Sequence, residues 1–208
     1  MIAAIITAAG ASTRMGQPKA LLHVRGETFL ETVLHGCAAS GINRCVVVLG
    51  PDMDKILSQI DLSGVSVVQN PSPQTGPIGS IRIALEVLLN HPVEAALVWH
   101  VDCPHVSVST VTMMIDRYRQ GDIDIVVPEF DGRRGHPVIF GREVFDELLQ
   151  GPDGEGARAV VRADPSRVAV VPVADPAVAE DIDTPEAYEE LLRRLDSGDT
   201  SLPRSEDA

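Results

Sequence analysis

The sequence predicts a doubly wound α/β fold, a three-layer α/β/α arrangement around a mostly parallel sheet. Three observations point to it. Nearly continuous apolar runs recur along the chain, stretches of helical periodicity separate them, and a glycine-containing loop with two cations directly follows the first run. A strand covered on both faces has no polar side to show, so it reads as an unbroken apolar run rather than an alternating one.

The first run is residues 2–6, IAAII, and it leads into TAAGASTRMGQPKALL, Thr7 to Leu22. Phe29, Leu30, Val33, Leu34 and Cys37 then form an apolar stripe at helical spacing. Runs at 45–49 and 65–68 follow, then the loop NPSPQTGPIGS, Asn70 to Ser80, and a second stripe of Ile78, Ile81, Leu85, Leu88 and Leu89. The run at 95–101 ends in DCP. A third stripe, Val108, Val111, Met114, Ile115 and Tyr118, precedes the run at 123–127. Residues 129–149 hold Gly132, Gly135, Pro137 and Gly141, which predict a turn, a short strand at 138–140 and a helix. The run at 168–173 is followed by a last strand-like segment ending in DIDTP. Thr184, Pro185 and Glu186 read as an N-cap, a first-turn proline and an acid at the positive end of a helix that buries Tyr188, Leu191, Leu192 and Leu195. Residues 1–195 are expected to form one domain. The polar stretch 196–208 is expected to be a disordered tail.

A chain of 208 residues, 44% of them hydrophobic, is long enough for one buried core and short for two. No apolar run approaches the roughly 20 residues that span a bilayer. The amino terminus lacks the basic flank of a secretory signal, so a soluble, cytoplasmic protein is expected. Cys37, Cys45 and Cys103 form no CxxC pair, which fits reduced thiols. The net charge is −13, with residues 1–50 at +2 and residues 175–208 at −8. Such a surface repels a nucleic-acid backbone, while the locally basic first loop suits a small anion.

In an open parallel sheet, ligands bind beyond the carboxyl ends of the strands. This rule selects the first loop, the loop from Asn70 to Ser80, Asp102 to Pro104, and Asp181 to Pro185, and predicts that the four share one edge. The first loop fits neither standard phosphate pattern. A Walker loop has about four residues between its glycines and Lys-Ser/Thr directly after, whereas here five separate Gly10 from Gly16 and Lys19 comes three later. Its glycines still let backbone N–H groups approach phosphate, and Arg14 and Lys19 supply charge.

Asp102 and Asp183 each end an apolar segment, and the fold would bring them together. Two unit charges about 4 Å apart repel by about 4 kcal/mol at an effective dielectric near 20, so such a pair wants a cation. Mg²⁺ fits, because it takes one or two carboxylates together with substrate phosphate oxygens. Asp181 is an alternative ligand. A zinc set of His100, Asp102, Cys103 and His105 is a competing reading, although His100 and Asp102 share a strand face from which Cys103 points away. No nucleophile elbow or Cys-His arrangement stands out, which agrees with direct transfer rather than a covalent intermediate. Trp99 and Met114 read as core.

AAGASTRMGQPKALL, the loop after Asn70, DCP, RGHPVIF, GEGAR and DIDTP occur in the order found in the MobA-like nucleotidyltransferases, and over residues 2–195 the chain resembles that family. The resemblance implies a Rossmann-like fold and an enzyme that joins an NMP from an NTP to an acceptor phosphate with release of pyrophosphate. It implies that Ala8, Ala9, Gly10, Arg14 and Lys19 wrap the triphosphate, with Arg14, Lys19 and Asp102 catalytic. Asn70, Gly76 and Ser80 would read base and ribose, and His136, Pro137, Gly156 and Arg158 would face the acceptor. Asp102 and Asp183 match its magnesium ligands.

Ala8-Ala9-Gly10, RGHPVIF and GEGAR resemble the cytidylyl branch, which uses CTP and molybdopterin. GPIGS at 76–80 leans instead toward the guanylyl branch, which uses GTP, and Cys103 stands where Met or Gln is common. The branch implies a molybdoenzyme or its chaperone as recipient. A transferase with a sugar-phosphate acceptor and a non-catalytic nucleotide-binding protein that delivers a cofactor remain as other readings.

Overall fold

In the computed structural model, which describes residues 1–10, 12–151 and 156–197, each expected apolar run forms a strand of one sheet. The chain runs β1 (Ile2–Ala8), a small hairpin of β2 (His23–Val24) and β3 (Glu27–Thr28), α1 (Phe29–Ala39), β4 (Cys45–Leu49), α2 (Met53–Leu57) and β5 (Ser66–Gln69). It continues through α3 (Pro77–Leu88), β6 (Ala95–His100), α4 (Val108–Tyr118), β7 (Ile125–Phe130), β8 (Arg133–Arg134) and β9 (Val138–Gly141). The last elements are α5 (Phe145–Gln150), α6 (Ala157–Ala163), β10 (Val168–Pro172) and α7 (Pro185–Asp196). Gly154 and Glu155 of GEGAR, and residues 198–208 of the expected tail, lie outside the described residues.

The sheet order is β10-β7-β9-β6-β1-β4-β5, with β8 paired to β7. Strands β6, β1, β4 and β5 are mutually parallel, as are β7 and β10. Strand β9 lies between β6 and β7 and runs antiparallel to both. Its reversed direction sets the site. The amino end of β9 falls at the edge where the parallel strands have their carboxyl ends, so Gly135, His136 and Pro137 arrive beside Asp102.

Alternation along β1 shows the three layers. Ile2, Ala4 and Ile6 join a core with Phe29, Leu30 and Val33 of α1, Val111 and Met114 of α4, and Leu191 of α7. Ala3 and Ile5 face the opposite way, toward Ile81 and Leu85 of α3 and Phe145 and Leu148 of α5. Trp99 and Met114 are buried, as expected. Thr184 caps α7 by accepting from the Ala187 N–H, with Pro185 in the first turn and Glu186 beside it.

The segment leading to Asp183 differs from expectation: it is an irregular stretch rather than a strand. It stays close to β6 because the Ile182 N–H donates to the Asp102 carbonyl at 2.9 Å and the Ile182 side chain is buried. Glu180 anchors its start. Its carboxylate pairs with the Arg194 guanidinium of α7 at 2.7 Å and lies 3.4 Å from the buried His105 imidazole.

Two substitutions test this framework. A Cβ on Gly135 would lie 1.6 Å from the Val178 carbonyl oxygen, the same oxygen that accepts from the His136 N–H at 2.8 Å. The clash is with backbone, which cannot rotate away. Gly135→Ala should therefore lose about 3 kcal/mol in urea unfolding, the upper part of the overpacking range; an unchanged midpoint would show that this contact is not made. Glu180 titrates at about 2, below its ordinary 4.5, because of its contact with His105 and then Arg194, with burial opposing. A depressed carboxyl contributes stability above its unfolded pKa and loses it as pH falls through the folded one. Thermal melts of Glu180→Gln should fall furthest below wild type above pH 4.5, and the gap should close toward pH 2.

Candidate functional site

The four loops expected to share an edge do so, around a cavity of about 890 Å³. Its wall takes Gly10, Arg14 and Lys19 from the first loop, Gly76 and Ser80 from the start of α3, Asp102 after β6, and Asp181 and Asp183 before α7. Ala8, Ala9, His136, Gly156 and Arg158 also line it. A volume of this size lies in the upper part of the roughly 300–1,000 Å³ usual for small-molecule sites. Its floor is apolar, made by Val98, Val138 and Phe140 from neighbouring strands.

Two expected residues stand behind the wall rather than on it. Asn70 is buried; its amide donates to the Ser80 hydroxyl at 3.0 Å and its carbonyl accepts from the Ser72 N–H at 2.9 Å. It therefore fixes the loop and the hydroxyl that faces the cavity. Pro137 is buried between His136 and Val138, both of which line the cavity.

Lys19 is positioned from its backbone outward. It opens a short helical turn after Pro18. Its N–H donates to the Ser12 hydroxyl at 3.1 Å, and Ala20 and Leu21 behind it are buried. The ammonium donates to Asp102 Oδ2 at 2.9 Å and also to Asp183 Oδ1. Burial works against the charged lysine, yet the two carboxylates outweigh it and hold its pKa above the ordinary value. Burial likewise opposes ionisation of Asp102, but the Lys19 charge, assisted by His100, holds its pKa below the usual range. Both groups are thus charged at neutral pH.

Two carboxylates that converge on one ammonium also fit a small hard cation, whose ligands are oxygens. Among the described residues, donor atoms of Asp102, Cys103 and Asp181 also lie within 4.8 Å of one another. Cys103 is a poor ligand there. Burial and the two neighbouring carboxylates push its thiol well above the ordinary range, and Sγ donates to Asp181 Oδ1 at 3.2 Å. The zinc set His100, Asp102, Cys103 and His105 is not assembled: His100 bonds to Thr7, and His105 turns to Glu180.

Thr7 and His100 escaped the sequence reading as site partners. Thr7, one residue from the end of β1, pairs in register with His100 at the end of the parallel strand β6, and Thr7 Oγ1 lies 2.5 Å from His100 Nδ1. The His100 ring meets His136 edge to face, with centroids 4.2 Å apart. Burial, helped by His100, pushes His136 down to about 3, so it presents a neutral ring. Their position near matching strand ends was the available signal.

A helix amino terminus adds a further positive field. Gly76 precedes α3 with φ of +77°, a left-handed conformation that suits glycine, and the first turn of this 12-residue helix opens on the cavity. The helix dipole favours an anion there, although Pro77 has no N–H and the Gly79 N–H donates to the Gly76 carbonyl at 3.2 Å.

Comparison with known proteins agrees with this geometry. The model of the MobA-like NTP transferase domain matches residues 4–169. The chain is 31% identical to nicotine blue oxidoreductase of Paenarthrobacter nicotinovorans, over 92% of this chain and 96% of that one. It is 26% identical to molybdenum cofactor cytidylyltransferase of Escherichia coli (strain K12), over 88% and 92% of the two chains. Among solved structures it superposes on Rv0371c from Mycobacterium tuberculosis H37Rv with a TM-score of 0.81 and 30% identity, covering 92% of this chain and 97% of that one. A structure of that protein in complex with manganese gives a TM-score of 0.74 at 28% identity, covering 92% and 98%. Among the described residues, no helix is long and apolar enough to cross a membrane.

Proposed function

The chain belongs to the MobA-like NTP transferase family, and we propose that it transfers CMP from CTP to the phosphate of molybdopterin, releasing pyrophosphate. The observation that carries the reading is the Lys19 ammonium shared by Asp102 and Asp183 at the mouth of a cavity that also takes Arg14 and the first turn of α3.

Both reactants are anions, so repulsion rather than a missing nucleophile is the obstacle. An oxygen of the acceptor phosphate forms a bond to the α-phosphorus. The bond from that phosphorus to the β-bridging oxygen breaks, and pyrophosphate leaves with the electron pair. Arg14 and Lys19 stabilise the charge gathering on the leaving group, Arg14 by forking onto two oxygens and Lys19 as a point charge. Backbone N–H groups near Gly10 bind the phosphates. Ser80, held by Asn70, meets the nucleoside together with Gly76. Asp102 and Asp183 would hold Mg²⁺, which supplies charge neutralisation between the α-phosphate and the incoming oxygen. His136 and Arg158 face the acceptor, Arg158 suited to its phosphate. The recipient of the product would be a molybdoenzyme or its chaperone.

GTP is the second nucleotide to consider, because GPIGS at 76–80 leans toward the guanylyl pattern. A hydride-transfer reading, raised by the name of one relative, draws no support from a lysine shared by two acids, since hydride transfer builds no charge on phosphate.

Pyrophosphate release should be measured with CTP, GTP, ATP and UTP, each with and without molybdopterin, alongside NADH oxidation. The expected result is molybdopterin-dependent release that is fastest with CTP, at a kcat/KM about 10-fold or more above that with GTP, a ratio worth about 1.4 kcal/mol. Asp102→Asn should lower kcat by about 10²-fold or more with the fold intact by circular dichroism. Near-normal magnesium-dependent turnover in this variant would remove Asp102 from the metal assignment. Failure to release pyrophosphate from any of the four nucleotides would remove the transferase reading.

A further inference from the structure

The Lys19 ammonium bonds to Asp102 Oδ2 and to Asp183 Oδ1, the same carboxylates that the transferase reading assigns to a divalent cation. The ammonium takes one oxygen of each carboxylate and sits between them, so a divalent cation bridging the same pair would meet its charge at close range. The lysine therefore has to leave for the metal to enter, and the structure indicates where it can go.

The backbone of Lys19 is fixed. The Leu21 N–H donates to the Pro18 carbonyl at 3.0 Å, the Leu22 N–H donates to the Lys19 carbonyl at 3.0 Å, and Ala20 is buried. Only the four-carbon side chain is left to reorient, and it lines the same cavity as Arg14 and the α3 amino terminus. A triphosphate there offers the ammonium a replacement for the carboxylates it gives up. Without such an anion, the departing ammonium loses two charged partners, and its side chain is only 13% exposed to the water that would replace them.

Resting on the transferase reading, we propose that Lys19 is a built-in competitor of the divalent cation, so that metal binds tightly only when a nucleotide triphosphate has drawn the lysine away. Linkage makes the effect reciprocal: the factor by which nucleotide raises metal affinity is the factor by which metal raises nucleotide affinity. The neighbouring groups do not substitute for Lys19. Arg14 is exposed and lies outside the carboxylate pair, and His100 already bonds to Thr7. The consequence is protective. A nucleotide-free protein would not hold a metal ion competent to activate water or a stray phosphate.

The test is Mn²⁺ binding to the purified full chain without nucleotide, read by electron paramagnetic resonance, for wild type, Lys19→Met and Lys19→Arg. Removing the charge should tighten Mn²⁺ binding about 10-fold or more, within the usual range of coupling between sites. Lys19→Arg, which keeps the charge, should bind Mn²⁺ as weakly as wild type. Melting temperature supplies a second readout: Mn²⁺ should raise it further in Lys19→Met than in wild type. If Lys19→Met does not fold, Lys19→Gln keeps a donor for the carboxylates without the charge and gives the same reading. Equal or weaker Mn²⁺ binding in the neutral variants would overturn the proposal. Because no turnover is involved, this result is separate from the pyrophosphate assay: a chain that releases no pyrophosphate yet shows tighter Mn²⁺ binding in Lys19→Met loses the proposed activity and keeps the competition.

Discussion

The interaction on which the rest of the site depends is the sharing of one ammonium by two carboxylates. Lys19 and Asp183 lie 164 residues apart in sequence, and Lys19 and Asp102 lie 83 apart. Each carboxylate alone would be an ordinary acid at the edge of a sheet. Together, partly withdrawn from water, they demand a positive charge, and the lysine that meets the demand stands at the end of a loop with the donors an anion needs. Cation and anion requirements thus meet at one place.

The fold makes that meeting possible through strand direction. The parallel strands β1 and β6 deliver the first loop and Asp102 to one edge, and the hydrogen bond from Ile182 to the Asp102 carbonyl draws the last acid alongside. Reversal of β9 adds His136 at the same edge, while Gly135, which has no room for a side chain, lets the backbone pass against Val178. The apolar floor of Val98, Val138 and Phe140 is the underside of this arrangement. It lowers the local dielectric, which makes each charge above it count for more.

Much of this was legible in the sequence because the signals are local. Unbroken apolar runs mark strands buried on both faces. Two cations and two glycines after the first run mark the loop that lines the cavity, and Thr184-Pro185-Glu186 marks a helix start whose cap forms as expected. What was not legible depends on which strand lies beside which. The antiparallel insertion of β9 leaves no periodic trace in a four-residue strand. The Thr7–His100 contact needs the β1–β6 register, and the place of Asn70 behind Ser80 needs the turn of its loop. The strand-like segment expected to end in DIDTP is irregular, because the Ile182 N–H goes to the Asp102 carbonyl and Glu180 pairs with Arg194 instead of a sheet neighbour. The need for a cation is legible from the paired acids, and Mg²⁺ from its ligand chemistry and the family resemblance, whereas the lysine as its rival emerges only from the geometry.

The most direct measurement is a crystal structure with Mn²⁺ and a non-reacting CTP analogue, with the metal located from its anomalous signal. The expected result is one manganese ion bound by Asp102 and Asp183, with Lys19 Nζ moved from the carboxylates onto the triphosphate. Manganese held instead by Asp181, or Lys19 still bonded to both acids with nucleotide in place, would contradict it.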